Sequence, residues 1–451
     1  MAAKEFIVAI ELGSSKMTGI AGQKNLDGSI TVLGVVKEDS SSFIRKGYVY
    51  NIDKTAQCLT NIIKKLENQL KTEILQVYVG VGGQSIRSVR NVVAKDLPAD
   101  TRITQDMVIE LMDANRNMKY QDQEILDAAV QEYKVDSQYQ LDPVGIQCGH
   151  IEGNFLNILQ RKAFYKNLNM CFEAAGINVA EMYLAPLALA DSVLTETEKR
   201  SGCVLVDMGA GTTTVSVYFN NILRHLCVIP LGGSNVTSDI TSLKVEAEEA
   251  EELKKKYGTA YRSDSEDKTG QKINLSFDRT EDEEKLQEIV EARYEEIIAN
   301  VYHRISTYKD KLLSGIIVTG GAARIPELPK AFARQTGGDL NVRIAKGLPE
   351  NVSISYGIQV GEPDRLYTLY ALLLAGKENC VCEASEDPVQ KTFDFENKEE
   401  PKVVEPDNQE NLEETDIPDT PEKPKGPSTI KRIWKTFEKM LSDEVDPDED
   451  K

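Results

Sequence analysis

The chain has 451 residues, enough for roughly two or three domains with a sizeable core. Its formal net charge of −20 argues against nucleic acid as a main partner, because phosphate binding requires clustered lysine and arginine. Three histidines and seven scattered cysteines without a C-x-x-C pair argue against a structural zinc site and are typical of a reducing cytosol. We expect no signal peptide and no spanning helix, since the apolar runs are too short for either.

The first predicted element is a buried strand that ends in a glycine turn. Residues 6–10 are all apolar, the sequence ELGSSK follows at residues 11–16, and a second apolar run begins at Met17. An acid, a glycine and hydroxyl groups at the tip of a hairpin can hold a phosphate, because the backbone N–H groups of such a turn attract anions.

A segment with its own elements follows, and we interpret residues 84–166 as an inserted small α+β domain. Thr104 is expected to cap a helix, and the apolar spacing of residues 125–133 predicts another helix. Residues 154–159, which are mostly apolar, are expected to form a strand.

A second hairpin of the same design occupies residues 204–217, VLVDMGAGTTTVSV. Its apolar strand ends at Asp207, which suits a hydrated Mg²⁺ beside a phosphate. Taken alone, an ordinary glycine hairpin is the simpler interpretation. Two copies of one hairpin, however, predict a duplicated fold with a nucleotide between its halves.

Helices and a third glycine turn follow the second hairpin. The sequence predicts helical regions over residues 236–257 and over residues 281–313, the second either interrupted or continuous. Residues 316–319 read as a strand that runs into TGGAA and then a helix. A strand, a glycine turn and a helix in this order can receive an adenosine or phosphate group.

The composition changes near residue 377. Residues 377–427 contain sixteen acidic residues and six lysines with few apolar side chains, which predicts disorder. Residues 428–442 have the apolar spacing of one helix face, and an acidic tail of residues 443–451 follows. A basic amphipathic helix with a central tryptophan suits a membrane interface, although docking on its own domain or on a partner protein is the alternative. The residues assigned to the membrane are Ile430, Lys431, Arg432, Ile433, Trp434, Lys435, Phe437, Lys439, Met440 and Leu441.

Three motifs resemble those of the actin/Hsp70/sugar-kinase superfamily. The stretches VAIELGSSKMTGIAG, VLVDMGAGTTTVSVY and GIIVTGGAARIPEL are similar to its phosphate-1, phosphate-2 and adenosine motifs. Within the superfamily the chain resembles the FtsA family of bacterial cell-division actin homologues, on the stretches LRHLCVIPLGGSNVTSDI, AEELKKKYG and EARYEEI. The resemblance covers residues 4–376 and, by pattern, residues 428–442.

The resemblance implies an α/β fold, a two-lobed actin-like ATPase with ATP and Mg²⁺ between the lobes. The first lobe would comprise residues 1–83 and 167–200, and the inserted subdomain 84–166 would make filament contacts and recruit later division proteins. The second lobe, residues 201–376, is implied to bind the C-terminal peptide of FtsZ. The remaining parts are then a disordered acidic linker (377–427), a membrane-targeting amphipathic helix (428–442) and an acidic tail (443–451).

Family roles carry over to the residues that match the motifs. Asp207 is implied to orient Mg²⁺ through water, and Glu251 and Lys254 to flank the ribose and adenine. The implied nucleotide-binding residues are Glu11, Gly13, Ser14, Ser15, Lys16, Asp207, Gly209, Gly211, Thr212, Thr213, Gly232, Gly233, Glu251, Lys254, Gly320, Gly321 and Ala322.

Three residues depart from the superfamily pattern. Glu11 replaces the usual aspartate of the first motif, and Ala210 interrupts the glycines of the second. Ala185 stands where relatives that hydrolyse ATP well carry a glutamate before proline. Because alanine cannot orient or deprotonate water, the sequence predicts nucleotide binding with slow or absent hydrolysis.

The leading interpretation is a peripheral membrane protein that polymerises with ATP and tethers the FtsZ ring to the cytoplasmic face of the cell membrane at the septum. A small-molecule kinase of the same fold would need a catalytic aspartate facing a second substrate, and no sugar-binding signature occurs near the motifs. An Hsp70-like chaperone would need a β-rich domain after residue 376. A pilus-assembly-type actin-like scaffold shares the body, and the terminal helix is the feature that distinguishes it.

Overall fold

The computed structural model describes residues 6–263, 272–275 and 279–381. Residues 264–271, most of the acidic linker, the predicted helix over residues 428–442 and the acidic tail lie outside the described residues. Within the described ranges, no helix combines the length and the apolar character that crossing a membrane requires.

Strands and helices alternate along most of the described chain. The strands are, in chain order, β1 (Phe6–Leu12), β2 (Lys16–Lys24), β3 (Ile30–Asp39), β4 (Ile44–Arg45), β5 (Tyr48–Val49), β6 (Gln76–Val81), β7 (Arg87–Arg102), β8 (Gln123–Val135), β9 (Gln138–Gln140), β10 (Gln147–Arg161), β11 (Asn178–Leu184), β12 (Cys203–Met208), β13 (Thr213–Phe219), β14 (Ile222–Ile229), β15 (Lys272–Leu275), β16 (Arg279–Asp282), β17 (Ile316–Thr319), β18 (Val342–Ile344) and β19 (Val352–Ile354). The α-helices are α1 (Ile52–Leu70), α2 (Gln105–Arg116), α3 (Lys162–Ala175), α4 (Ala185–Val193), α5 (Glu196–Ser201), α6 (Gly233–Ile240), α7 (Ala247–Tyr257), α8 (Glu283–Ile305), α9 (Leu328–Thr336) and α10 (Tyr367–Ala375).

The first sheet has the order β11-β6-β1-β2-β3-β19. As predicted, the centre of β1 is buried on both faces, with residues 7–10 fully inaccessible. Helix α1 packs on one face, where Ile62 approaches Gly19 of β2, and α10 packs on the other, where Leu372 approaches Gly80 of β6. The first lobe is therefore a sheet between two helical layers.

The second sheet has the order β18-β17-β12-β13-β14-β7-β10-β8-β9. Its first five strands belong to the second lobe, where β12 pairs in parallel with β17 and antiparallel with β13. Helix α8 buries Val290, Tyr294, Ile297 and Val301 in the core beneath these strands. The carboxyl ends of β12 and β17 consequently meet at one edge of the sheet.

The two predicted helical regions of the second lobe are shorter or divided. Residues 236–257 form α6 and α7, separated by the 3-10 turn Thr241–Leu243. The turn ends at Lys244, whose left-handed φ of +60° cannot continue a helix. Helix α8 ends at Ile305 and is followed by the 3-10 turn Ser306–Lys311.

The inserted subdomain consists of α2 and strands β7 to β10. Thr104 caps α2 as predicted, because its side chain accepts a hydrogen bond from the N–H of Met107. The predicted helix over residues 125–133 is wrong, since this stretch belongs to β8 and pairs with β10. Bulges leave Leu126 and Gln131 of β8 without a cross-strand partner. Each bulge shifts the two-residue alternation by one position, which imitates helical spacing.

The last described part of the chain returns to the first sheet. Strand β19 pairs with the edge strand β3, and the apolar helix α10 covers β1. The N–H of Cys380 then donates to the carbonyl oxygen of Phe6 at 2.8 Å. The second lobe therefore ends before β19, rather than at residue 376, and the segment up to Val381 belongs to the first lobe rather than to the linker. An unpaired sheet edge and an uncovered apolar face account for this return.

Candidate nucleotide site

Two glycine turns, one from each sheet, lie against each other. The turn between β1 and β2 carries Ser14, and the turn between β12 and β13 carries Gly211. A Cβ atom added to Gly211 would lie 2.9 Å from Ser14 Oγ and 3.2 Å from the backbone nitrogen of Lys46. The Ser14 hydroxyl also accepts a hydrogen bond from the N–H of Gly47 at 2.9 Å. The two predicted phosphate hairpins thus meet between the lobes.

Two carboxylates stand at the strand ends behind these turns. Burial raises the pKa of Glu11, near the end of β1, to about 7; repulsion from Asp207 adds to this shift and a hydrogen bond with Thr368 opposes it. Burial raises the pKa of Asp207, near the end of β12, to about 6. Two carboxylates that repel each other and are buried from water can be stabilised by a bound cation.

The turn after β17 covers Asp207. A Cβ atom added to Gly320 would lie 2.5 Å from Asp207 Oδ1 and 2.5 Å from the carbonyl oxygen of Met208, and Gly320 has a φ of +94°. Both the close approach and the backbone conformation require glycine. The buried Tyr294 of α8 donates its hydroxyl proton to the carbonyl oxygen of Ala322 at 2.8 Å. The third motif is thereby held beside the carboxylate.

The loop after β14 connects the second hairpin to α6 and α7. The N–H of Gly233 donates to the carbonyl oxygen of Gly209 at 3.0 Å. Lys254 donates to the carbonyl oxygen of Gly233 at 3.0 Å and to Thr237 Oγ1 at 2.8 Å. It also forms an ion pair with Glu251 at 2.5 Å. Burial lowers the pKa of Lys254, and the hydrogen bond with Glu251 opposes this shift.

Two of the predicted nucleotide-binding residues use their hydrogen-bond donors to stabilise the loops. The N–H of Gly209 donates to the carbonyl oxygen of Thr212 at 2.8 Å, which closes the second hairpin. The hydroxyl of Thr213 donates to the carbonyl oxygen of Leu231 at 2.8 Å. These two hydrogen-bond donors are therefore committed to the turn rather than directed at a ligand.

The other predicted residues are spread from the tip of the first turn to the third. Ser15 and Lys16 are exposed at the tip of the first turn, and Gly13 is partly exposed beside them. Gly232 is buried, whereas Gly321 is exposed. The members of the three motifs therefore lie at the turns that follow β1, β12 and β17.

Sequence reasoning missed three side chains that hold the site in shape. Thr368 bonds to Glu11, Tyr294 holds Ala322, and the Asn235 side chain accepts from the N–H of Gly232 at 2.9 Å. Only the returning half of a capping box is present at Asn235, because Gly232 has no side chain, so no sequence signature marked it. Tyr294 lies within EARYEEI, but nothing in the motif indicates its hydrogen bond.

These residues fit a nucleotide with Mg²⁺. In the described part of the chain, no group of three or more His, Cys, Asp or Glu could hold a metal by itself. Mg²⁺ does not need such a group, because it keeps several waters and takes oxygens from one or two carboxylates and from phosphates. Asp207 and Glu11 beside two anion-attracting turns match that requirement.

The raised carboxyl pKa values predict that the ligand-free protein loses stability as the pH rises. A carboxyl with a raised folded-state pKa contributes stability that is full below its unfolded pKa and is lost as the pH passes about 6 to 7. We expect Tm to fall less for Glu11→Gln than for the wild type between about pH 5 and 8. Glu73→Gln, at an exposed glutamate, should follow the wild type. Equal slopes for Glu11→Gln and the wild type would contradict the prediction.

Comparison with known proteins matches the chain to one family. The model described as "Cell division protein FtsA" matches residues 204–361, and the model "SHS2 domain inserted in FTSA" matches residues 83–159. The chain is 31% identical over 339 residues to the cell division protein FtsA of Porphyromonas gingivalis, across 73% of this chain and 70% of the relative. It is 29% identical over 392 residues to that of Escherichia coli K12, across 83% and 91% of the two chains.

The fold also has a counterpart among solved structures. The PilM-PilN type IV pilus biogenesis complex aligns with a TM-score of 0.58 at 13% identity, covering 82% of this chain and 98% of that chain. This likeness agrees with the predicted two-lobed α/β architecture, and the match over residues 83–159 agrees with an inserted subdomain. The chain therefore has an actin-like fold with an SHS2 insertion, and it belongs to the FtsA family of cell division proteins.

Proposed function

We propose that the chain binds ATP with Mg²⁺ between its two lobes, polymerises, and tethers the FtsZ ring to the cytoplasmic face of the cell membrane at the septum. The observation that carries this proposal is the contact of the two glycine turns at Ser14 and Gly211, with two carboxylates behind them. Membership of a cell division family supports a role in cell division. In this role the inserted subdomain contacts neighbouring copies and later division proteins.

The residues of the three motifs and of the loop after β14 contact different parts of the nucleotide. When bound, Mg²⁺ supplies positive charge that offsets the phosphates and the two acids. Asp207 orients the water around the ion, and Ser14 offers its hydroxyl at the contact between the turns. Gly233 lines the nucleoside, and Lys254, fixed by its hydrogen bond to the Gly233 carbonyl, flanks the ribose and adenine.

Ala185 is the reason to expect slow hydrolysis. It opens α4, and its Cβ would lie 3.7 Å from a Cβ added to Gly80 and 3.9 Å from one added to Gly82. A methyl group at this place carries neither a base nor a hydrogen-bond acceptor for an attacking water. The site holds ATP and reports its presence through assembly.

We expect the wild-type protein to bind Mg²⁺-ATP and to hydrolyse it more slowly than about 1 s⁻¹, because water is not positioned. Steady-state phosphate release and an equilibrium titration measure the two properties. Asp207→Asn should weaken Mg²⁺-ATP binding about tenfold or more, since it removes a charge beside the ion. Asp106→Asn, on the exposed surface of α2, should leave binding unchanged. Faster turnover would contradict the expectation.

An open groove on the second lobe suits the FtsZ C-terminal peptide. It has a volume of about 560 Å³ between α6 and α8. Arg293 is fixed there by Asp239, through Nε at 2.5 Å and Nη2 at 3.0 Å, and it also pairs with Glu296. Ile289 and Ala292 supply some apolar surface beside the oriented charge in a groove that is otherwise polar, and peptide sites combine such groups. Its lining residues are Ser238, Asp239, Thr241, Ser242, Ile289, Ala292, Arg293 and Glu296.

Arg293→Ala should weaken binding of the FtsZ C-terminal peptide about tenfold, because it removes the oriented cation of the groove. ATP binding should not change. Arg334→Ala is the matched control, since Arg334 also ion-pairs with α8, through Glu291 and Glu295, but does not line the groove. Fluorescence anisotropy of a labelled peptide measures the effect. Equal affinities for the wild type and Arg293→Ala would remove the groove from the proposal.

The membrane part of the proposal rests on the sequence of residues 428–442. Six apolar residues have the spacing of one helix face, and the single tryptophan of the chain, Trp434, is central in that pattern. One such helix binds a bilayer reversibly, because ordering the segment offsets much of the burial energy. Polymerisation multiplies the number of helices that engage one surface, so assembly on ATP would strengthen attachment.

The double variant Trp434→Asp with Phe437→Asp should remove the protein from anionic liposomes in a pelleting assay, because both charges enter the apolar face. Its matched control is Thr436→Asp with Ser442→Asp, which adds the same charge outside that face. The control should still pellet to a large extent, and both proteins should bind ATP. Unchanged pelleting of the first variant would reject the membrane assignment.

A further inference from the structure

A cation lies against the turn that follows β17. Arg365 ends a short 3-10 turn, Pro363–Arg365, directly before α10. A Cβ atom added to Gly321 would lie 3.8 Å from Cζ and 3.9 Å from Nε of Arg365, which is ordinary van der Waals contact. The guanidinium group therefore rests on the backbone of the turn that is expected to line the nucleoside.

A small charge cluster holds this side chain in place. Arg365 Nε pairs with Glu362 Oε2 at 2.6 Å, and Glu362 Oε1 pairs with Arg324 Nη1 at 2.8 Å. Arg324 also lies 3.5 Å from Asp364. One carboxylate thus orients two arginines, and it keeps a cationic partner if either of them is removed.

The charge of Arg365 is felt on both lobes. Burial lowers the pKa of Lys37 on β3; the charges of Lys16 and Arg365 lower it further, and the charge of Glu362 opposes this shift. Burial also lowers the pKa of Lys254 on α7, and Arg365 is among the positive charges that add to that shift. Arg365 precedes α10 of the first lobe and contacts Gly321 of the second, so it lies at the junction of the two lobes.

We propose that Arg365 stacks on the base of a bound purine nucleotide and closes the nucleoside end of the site. The inference rests on the proposed function and adds a residue that none of the three motifs contains. Gly320 contacts Asp207 at the phosphate end, whereas Gly321 contacts Arg365, so the guanidinium group lies toward the nucleoside. A planar guanidinium stacks on aromatic rings, and its ion pair with Glu362 orients it before the ligand arrives.

The test compares two ligands on the full-length chain. Equilibrium titrations use Mg²⁺-ATP and Mg²⁺ with inorganic tripolyphosphate, which has no base. Arg365→Ala should weaken ATP binding about tenfold and leave tripolyphosphate binding within about twofold, because only the base contact is lost. Arg365→Lys should recover part of the ATP affinity, since it restores charge without the plane. Arg334→Ala, an arginine of α9 outside the site, should change neither ligand.

The possible outcomes distinguish failure of the stacking contact from failure of the proposed ATP binding. A tenfold loss confined to ATP, with an unchanged Tm, supports the stacking contact. An equal loss for both ligands overturns it, because the cation then serves the phosphates or the fold. Unchanged ATP binding by Arg365→Ala overturns it as well. A wild-type chain that binds no ATP overturns the proposed function and the inference together.

Discussion

The site depends on how closely the backbones of three turns approach one another. The N–H of Ser234 donates to the carbonyl oxygen of Ala210 at 2.8 Å, so the first turn of α6 rests on the second hairpin. A side chain at Gly211 would push the two hairpins apart, and one at Gly320 would meet Asp207. Because each of these hairpins and turns ends a central strand, their contacts also set the separation of the two sheets. The same backbone contacts therefore determine how the lobes pack and the shape of the space between them.

Charge is divided within this opening, with acids at its base and cations at its rim. Glu11 and Asp207 lie at the ends of buried strands, where dehydration raises the pKa of both. Lys16 is exposed, and Lys254 and Arg365 carry partners that fix their positions. A polyanion alone would be repelled by the acids, and a bare cation would be repelled by the rim. A polyphosphate carrying a divalent cation satisfies both, which is why the charge pattern favours a metal-bound nucleotide over either component.

The features that could be predicted from the sequence are those set by residues close together in the chain. The two hairpins and the Thr104 cap are set by neighbouring residues, and the structure contains them as predicted. The strand β8 was missed because its bulges exist only in pairing with β10, which no local pattern reveals. The return of β19 to the first sheet joins Ile30 to Val352, a pairing that depends on the whole fold. The position of Arg365 over Gly321 is of the same kind, since two segments from opposite lobes create it.

The strand β14 connects the inserted subdomain to the loop that carries Gly232 and Gly233. The Ser88 hydroxyl accepts from the N–H of Leu226 at 2.8 Å, and the Gln131 side chain, released by a bulge, donates to the carbonyl oxygen of Leu223 at 2.9 Å. A few residues later the same strand leads to Gly233. The chain enters and leaves the subdomain from the first lobe, yet these hydrogen bonds attach it to the second. The subdomain is therefore part of the first lobe by chain connection and is bonded to the second lobe by these side chains.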